Sequence, residues 1–427
     1  MAARGGLARV SRPFAFASIK AWVPACALPG TRAISTNVGA PTDVSAPADS
    51  PIEVPSRMLM GPGPSNLHPR AVAAMTLPEL GHLHTPLLKI MDETMHGLRY
   101  MFQTSSPYVC AVSGPGHAAM EASILNAVEP GHKVLVGNSG IWGQRIVDIA
   151  RRCGAEAISL DKEAGRGFSY EEIKQAIEQH KPHAMWLCHG ESSTGVFQNI
   201  DGIGDLCRKH GTLFLLDTVC TLGGVPLKAD EQKVDIIYSG PQKCLSCPPG
   251  ASPFFMSERA MERLQSRKSP VASYNLDMNL IGDYWGWFGK RSYHHTGLVN
   301  NFYALREALN VTSNEGLSNL WKRHHEVSEQ LWDGLSAMGL KPFVSDPEES
   351  LPTVNTIKVP AGVEAPKLVQ HAMDNHSIEV AGGLGPSVGK VWRIGVMGYN
   401  AMPRNVDSVL TAFRDGLEHA KTRSATG

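Results

Sequence analysis

Tyr238-Ser239-Gly240-Pro241-Gln242-Lys243-Cys244 is the most informative stretch of the chain. It follows the apolar run Val234-Asp235-Ile236-Ile237 and leads into Pro248-Pro249-Gly250. A short apolar run stopped by glycine and proline reads as a buried strand. A lysine at the end of that strand, set in small residues, can face a cleft instead of bulk water. Upstream, a second apolar run from Leu213 to Leu216 ends in Asp217. The two runs predict an amine and a carboxylate at the ends of neighbouring strands. Alone, Lys243 also fits a solvated loop lysine, and Asp217 fits a residue that caps the next turn.

The same alternation extends through the chain. Strand-like runs (Tyr108 to Val112, Val134 to Val136, Ala184 to Cys188, Thr212 to Leu216, Val234 to Tyr238) are separated by helical patterns such as Tyr170 to Gln179. Alternation on this scale predicts an α/β fold, with a mostly parallel sheet flanked by helices. From about residue 316 a smaller α+β domain is expected. It holds a strand at Val354 to Val359 and a last helix with Val406, Val409, Leu410, Phe413 and Leu417 on one face.

An amine and a carboxylate so placed are what pyridoxal phosphate (PLP) requires. The lysine holds the aldehyde as a Schiff base, and the carboxylate keeps the pyridine nitrogen protonated. Other segments offer what the same cofactor needs. Ser113-Gly114-Pro115-Gly116-His117 joins a strand to a helix start, which gathers free N–H groups and the helix dipole into an anion site. It also fits an ordinary strand-to-helix turn. Trp142, in Gly140-Ile141-Trp142-Gly143-Gln144-Arg145, could stack on a flat ring or fill the core. His189-Gly190-Glu191-Ser192-Ser193-Thr194-Gly195 follows a strand and offers hydroxyls at its carboxyl end, without the spacing of a nucleophile elbow.

These motifs resemble the alanine–glyoxylate (serine–pyruvate) aminotransferase family, class-V PLP enzymes of fold type I. The resemblance also rests on Met60-Gly61-Pro62-Gly63-Pro64-Ser65-Asn66, Tyr293-His294-His295-Thr296, Gly382-Gly383-Leu384-Gly385-Pro386 and Arg393-Ile394-Gly395. It spans roughly residues 55 to 420. The resemblance implies that Lys243 carries PLP and that Asp217 pairs with the ring nitrogen. It implies that Trp142 stacks on the ring, that Gly116, His117 and Gln242 lie by the phosphate, and that Ser192 lies near ring and substrate. Tyr293 and Thr296 would reach the phosphate from the partner subunit of a homodimer with shared active sites. Arg393 would grip the substrate carboxylate, a task that suits its planar fork. The implied reaction moves the amino group of L-alanine or L-serine to glyoxylate by a ping-pong route. Two alternatives stay open: a 3-hydroxykynurenine donor, since insect transaminases for it share nearly all these motifs, and a catalytically silent binding subunit.

Composition agrees with an enzyme built on substantial cores. The chain has 427 residues, 42% of them hydrophobic, with 40 basic and 40 acidic side chains. No run approaches the ~20 apolar residues that a membrane helix needs, and nothing points to nucleic acid. The charge is uneven. Residues 1 to 42 contain Arg4, Arg9, Arg12, Lys20 and Arg32 and no acid, which predicts a mitochondrial transit peptide and a matrix location. A flexible arm is expected over residues 43 to 60, a large PLP-binding domain over 61 to 315 and a small domain over 316 to 427. The eight cysteines are spread along the chain, and a reducing matrix argues against disulfides. Cys244 and Cys247 have C-x-x-C spacing but no second pair at zinc spacing, so no metal is expected.

Overall fold

The computed structural model describes residues 51–420. The predicted transit peptide and the first residues of the predicted arm lie outside the described residues. Seven segments pair into one sheet: β1 (Val109–Gly114), β2 (Lys133–Asn138), β3 (Glu156–Asp161), β4 (Ala184–Cys188), β5 (Leu213–Asp217), β6 (Ile236–Tyr238) and β7 (Gly250–Met256). Their order is β1-β7-β6-β5-β4-β2-β3. All pairs from β6 across to β3 are parallel, while β7 runs antiparallel to both β1 and β6.

Every residue of β4 and β5 is buried, so the sheet is covered on both faces there. That explains why their sequences are continuously apolar instead of alternating. Four connections are helical, α1 (Gly116–Ala127), α2 (Ile141–Arg152), α3 (Tyr170–His180) and α4 (Ile203–Lys209), while the one from β5 to β6 has no helix. At α3 the start is fixed locally. The Ser169 hydroxyl accepts from the Glu172 N–H at 3.3 Å, and the Glu172 carboxylate accepts from the Ser169 N–H at 2.8 Å, a capping box. Where the sequence ended a strand at Val112, β1 continues, because Ser113 and Gly114 pair with Ala251 and Gly250 of β7.

A smaller sheet contains β8 (Val354–Lys358), β9 (Ala381–Gly382) and β10 (Val391–Gly395) in the order β8-β10-β9, all antiparallel. Arg393 sits on its central strand, between Thr356 and Ala381. One hydrophobic cluster packs around the large sheet and reaches Leu320. A second unites Met60, Leu331, Trp392, Ile394, Val406, Val409 and Phe413, with Leu410 and Leu417 partly buried against it. The last helix, Pro403–Ala420, supplies five of those side chains.

The expected arm ends earlier than residue 60. Met58–Leu59 pairs in parallel with Ile378–Glu379, and Met60 is fully buried in the second cluster. The cause is local: the Asn66 side chain accepts from the Leu59 N–H at 2.8 Å and holds these residues against the small sheet. Among the described residues no helix is long and apolar enough to cross a membrane.

Candidate active site

Asp217, Lys243, Trp142 and Ser192 lie at or just after the carboxyl ends of parallel strands, where open α/β sheets place their ligands. Asp217 is the last residue of β5, and the parallel register sets it beside Tyr238, the last residue of β6. The Tyr238 hydroxyl donates to Asp217 Oδ2 at 2.7 Å, and the Val219 N–H donates to Oδ1 at 2.8 Å. Trp186 Nε1 in turn donates to the Tyr238 oxygen at 3.3 Å. Asp217 is buried, and that burial pushes its pKa up from 3.8 to about 6. The hydrogen bonds from Tyr238 and Val219, and the Lys243 charge acting through space, only partly oppose it. Tyr238 stood in the motif that opened the sequence reading but received no role there. Its one signal was its place at the end of the strand beside Asp217.

Lys243 is not itself on a strand. It lies in the turn that follows β6, half-buried, and its amine donates to the Pro62 carbonyl. The Ser65 hydroxyl donates to the Lys243 carbonyl at 2.9 Å, which ties this turn to the Pro62–Asn66 loop. At Gly63, with φ of 108°, a Cβ would overlap the Lys243 amine. Glycine is required there both for the backbone conformation and for the space. The lysine thus faces a carbonyl instead of a carboxylate, and its amine is left available for chemistry.

The helix α1 starts against this cluster. Gly116 packs beside Val219, Ser239 and Gly240, where a Cβ would make ordinary contacts of 3.7 to 3.9 Å. No side chain caps α1, and no acid lies in its first turn, so its leading N–H groups and positive dipole end are free for an anion. Gln242 is close by, and its side-chain oxygen is buried without a hydrogen-bond partner. His117 contacts Arg145 at 2.6 Å and meets the Trp142 ring edge-on, with centroids 5.7 Å apart. Burial and the Arg145 charge lower the His117 pKa, which favours the neutral imidazole. Arg145, which the sequence reading passed over, lies 5.6 Å from the Trp142 ring centroid.

Trp142 is half-buried, and its Nε1 donates to the Ser192 hydroxyl at 2.9 Å. Ser192 links that ring to Arg393, whose Nη1 donates to the Ser192 carbonyl at 3.0 Å. Arg393 Nε donates to the Gly382 carbonyl at 2.8 Å, and the side chain is buried at 7% exposure. Tyr293 and Thr296 are different. Both are exposed, and they contact each other at 3.3 Å and the His82 ring at 4.9 Å from the Tyr293 ring. Among the described residues neither one bonds to Lys243, Asp217 or Gln242.

The residues present fit PLP. The Lys243 amine, bonded to a carbonyl alone, acts through space on the buried Asp217 carboxylate, which has no contacting cation among the described residues. An uncapped helix start that carries His117 adjoins a tryptophan whose indole N–H donates to a serine hydroxyl, and the Gln242 side-chain oxygen is buried without a partner among the described residues. Gly116, His117 and Gln242 would face the phosphate, Trp142 the ring, Asp217 the ring nitrogen and Lys243 the aldehyde carbon.

Fold and site together define a PLP-dependent transferase of fold type I. The chain belongs to the class-V aminotransferases, whose family pattern it matches over residues 67–408. It is 46% identical to alanine–glyoxylate aminotransferase of Callithrix jacchus over 370 residues, which cover 86% of this chain and 89% of that one. The enzyme of the same name from Drosophila melanogaster is 46% identical, with 87% and 95% covered. A crystal structure of alanine–glyoxylate aminotransferase from Nostoc superposes with a TM-score of 0.84 at 49% identity, covering 86% of this chain and 97% of that one. Ureidoglycine–glyoxylate aminotransferase from Bacillus subtilis gives 0.83 at 34% identity, with 88% and 96% covered. The chain is a transaminase that uses PLP.

Proposed function

We propose that this chain transfers the amino group of L-alanine, or of L-serine, to glyoxylate, giving pyruvate or hydroxypyruvate and glycine. The observation that carries the reading is Arg393. It is a buried guanidinium anchored by two backbone carbonyls, and among the described residues no carboxylate pairs with it. A buried arginine in want of a carboxylate suits the α-carboxylate of an amino or keto acid. The relatives named alanine–glyoxylate aminotransferase support the same substrates.

PLP supplies an aldehyde that condenses with amines and a protonated pyridine that draws electrons from the substrate Cα. The chain supplies the rest. Arg393 holds the substrate by its carboxylate and so fixes which bond at Cα faces the ring. Lys243, once free, moves a proton off the substrate Cα and returns one to the other reacting carbon. Asp217, positioned by Tyr238 and Val219, keeps a proton on the ring nitrogen. A charged pyridine would also remove the cost that burial now imposes on that carboxylate. Trp142 would cover one face of the ring and keep water from it.

The exposure of Tyr293 and Thr296 supports a homodimer in which they reach the phosphate of the neighbouring subunit. The acid-free, arginine-bearing residues 1–42 support import into the mitochondrial matrix.

The test uses PLP-loaded protein and L-alanine without any keto acid. The reading predicts one pyruvate per site and then arrest, with turnover restored by glyoxylate. No pyruvate, but turnover with 3-hydroxykynurenine, would replace the donor. No product from any of these amines would favour a silent subunit and overturn the reading.

A further inference from the structure

The site contains a buried carboxylate that the reaction does not use. Glu191 is 1% exposed and makes no ion pair among the described residues. Its Oε1 accepts from the Ser193 N–H at 3.0 Å and from the Ser193 hydroxyl at 2.6 Å, and its Oε2 accepts from the Trp142 N–H at 3.2 Å. The Ser193 hydroxyl also accepts from the Ile141 N–H at 3.2 Å. Helix α2 begins at Ile141 behind Gly140, which has no side chain to cap it. A Cβ at Gly140 would overlap the Glu191 carboxylate, so the missing side chain makes room for it. Glu191 therefore caps, from a distant loop, the helix whose first turn carries Trp142.

That loop is also gripped from the small sheet. The Ser192 carbonyl accepts from Arg393, the Ser193 carbonyl from the Ser387 hydroxyl at 2.5 Å, and the Thr194 carbonyl from the Thr356 hydroxyl at 2.9 Å. Glu191 thus stands where the ring-covering helix meets the strand that presents Arg393.

We propose that Glu191 is a positioning residue: it locks the start of α2 to the Ser192 loop and so sets how Trp142 meets the cofactor ring. The inference rests on the PLP reading of the site. It explains why a carboxylate lies buried there, since its two oxygens can take the Ser193 and Trp142 N–H groups together, which an amide cannot. Burial raises the Glu191 pKa to about 7, opposed by the bonds from Ser193 and Trp142 and reinforced by Asp217. The other groups facing it are Arg393 and the Cys188 and Cys220 thiols, both raised by burial.

Glu191→Gln tests it. The amide keeps the shape but must turn its NH2 towards either the Trp142 or the Ser193 N–H, a donor against a donor. Apoprotein of this variant should unfold near the wild-type temperature yet bind PLP about tenfold more weakly, as one lost buried hydrogen bond implies. Bound PLP should also lose much of its induced circular dichroism, a signal that reports how the ring is held. If Glu191→Gln does not fold, Ser193→Ala decides. It removes one donor to Glu191 and the acceptor for Ile141, and should weaken PLP about threefold with a smaller loss of dichroism. Wild-type affinity and dichroism in the folded variant would overturn the proposal. Wild-type protein that fails to take up PLP would overturn the cofactor reading along with it.

Discussion

Two aspartates lie buried at opposite ends of the same pair of strands, and their surroundings could hardly differ more. Asp235, just before β6, is fully buried. It accepts from the Phe214 N–H at 2.8 Å, the Ser257 hydroxyl at 2.9 Å and Arg259 Nη1 at 2.5 Å. Asp217, at the carboxyl end of β5, has a tyrosine hydroxyl and one N–H and, among the described residues, no contacting cation. A buried charge that is paired and hydrogen-bonded belongs to the structure. One left short of partners, beside a lysine that is equally short, is waiting for a ligand. The amino end of the sheet is complete within the chain; the carboxyl end is completed by the cofactor.

Breaking the unsaturated end should cost activity. Lys243→Ala should lower transamination by about 10,000-fold, the upper range for losing a positioned proton carrier. The apoprotein should keep its melting temperature. Asp217→Asn should lower kcat by about 100-fold or more, since the ring nitrogen loses its fixed counter-charge.

The stability of the Asp217→Asn apoprotein sharpens the contrast. The folded Asp217 pKa is raised from 3.8 to about 6, so the folded state holds this proton more tightly than the unfolded chain. Wild-type apoprotein therefore loses stability at this site as pH rises from about 4 to 6, by up to about 3 kcal/mol, and no more above that. The Asn variant has no such loss. Its advantage in urea unfolding should grow across that window and stay level at pH 8. Loaded with PLP, wild type should regain the lead.

Breaking the saturated end should do the opposite. Asp235→Asn leaves Arg259 without its charge partner and is expected to cost about 2 kcal/mol of stability, at the low side for a partly exposed pair. Turnover per folded molecule should hardly change, as thermal unfolding and active-site titration together would show. The smallest effect is expected at Arg393→Lys. It should raise the KM for L-alanine about tenfold with kcat closer to wild type, because a point charge replaces a two-pronged donor.

Much of this was legible in the sequence, for physical reasons. The strands ending at Asp217 and Tyr238 are continuously apolar because both faces are covered, so their carboxyl ends could be read directly. Lys243 and Trp142 followed from motifs next to strand ends, and Arg393 from the family resemblance. What the sequence hid was long-range. Tyr238 acts on Asp217 only through strand register, and Glu191 caps a helix that starts fifty residues before it. Met58–Met60 fell within the arm expected over residues 43 to 60 because its partners, Ile378–Glu379, come from the other end of the chain. The exposed Tyr293 and Thr296 have no reading inside one subunit.

The most direct measurement is to reduce PLP-loaded protein with borohydride and map the pyridoxyl label by peptide mass. The account predicts one label per chain, on Lys243, and none on the apoprotein's other lysines when Lys243 is replaced by alanine. A label on a different lysine, or a Lys243→Ala protein that is labelled as fully as wild type, would contradict it.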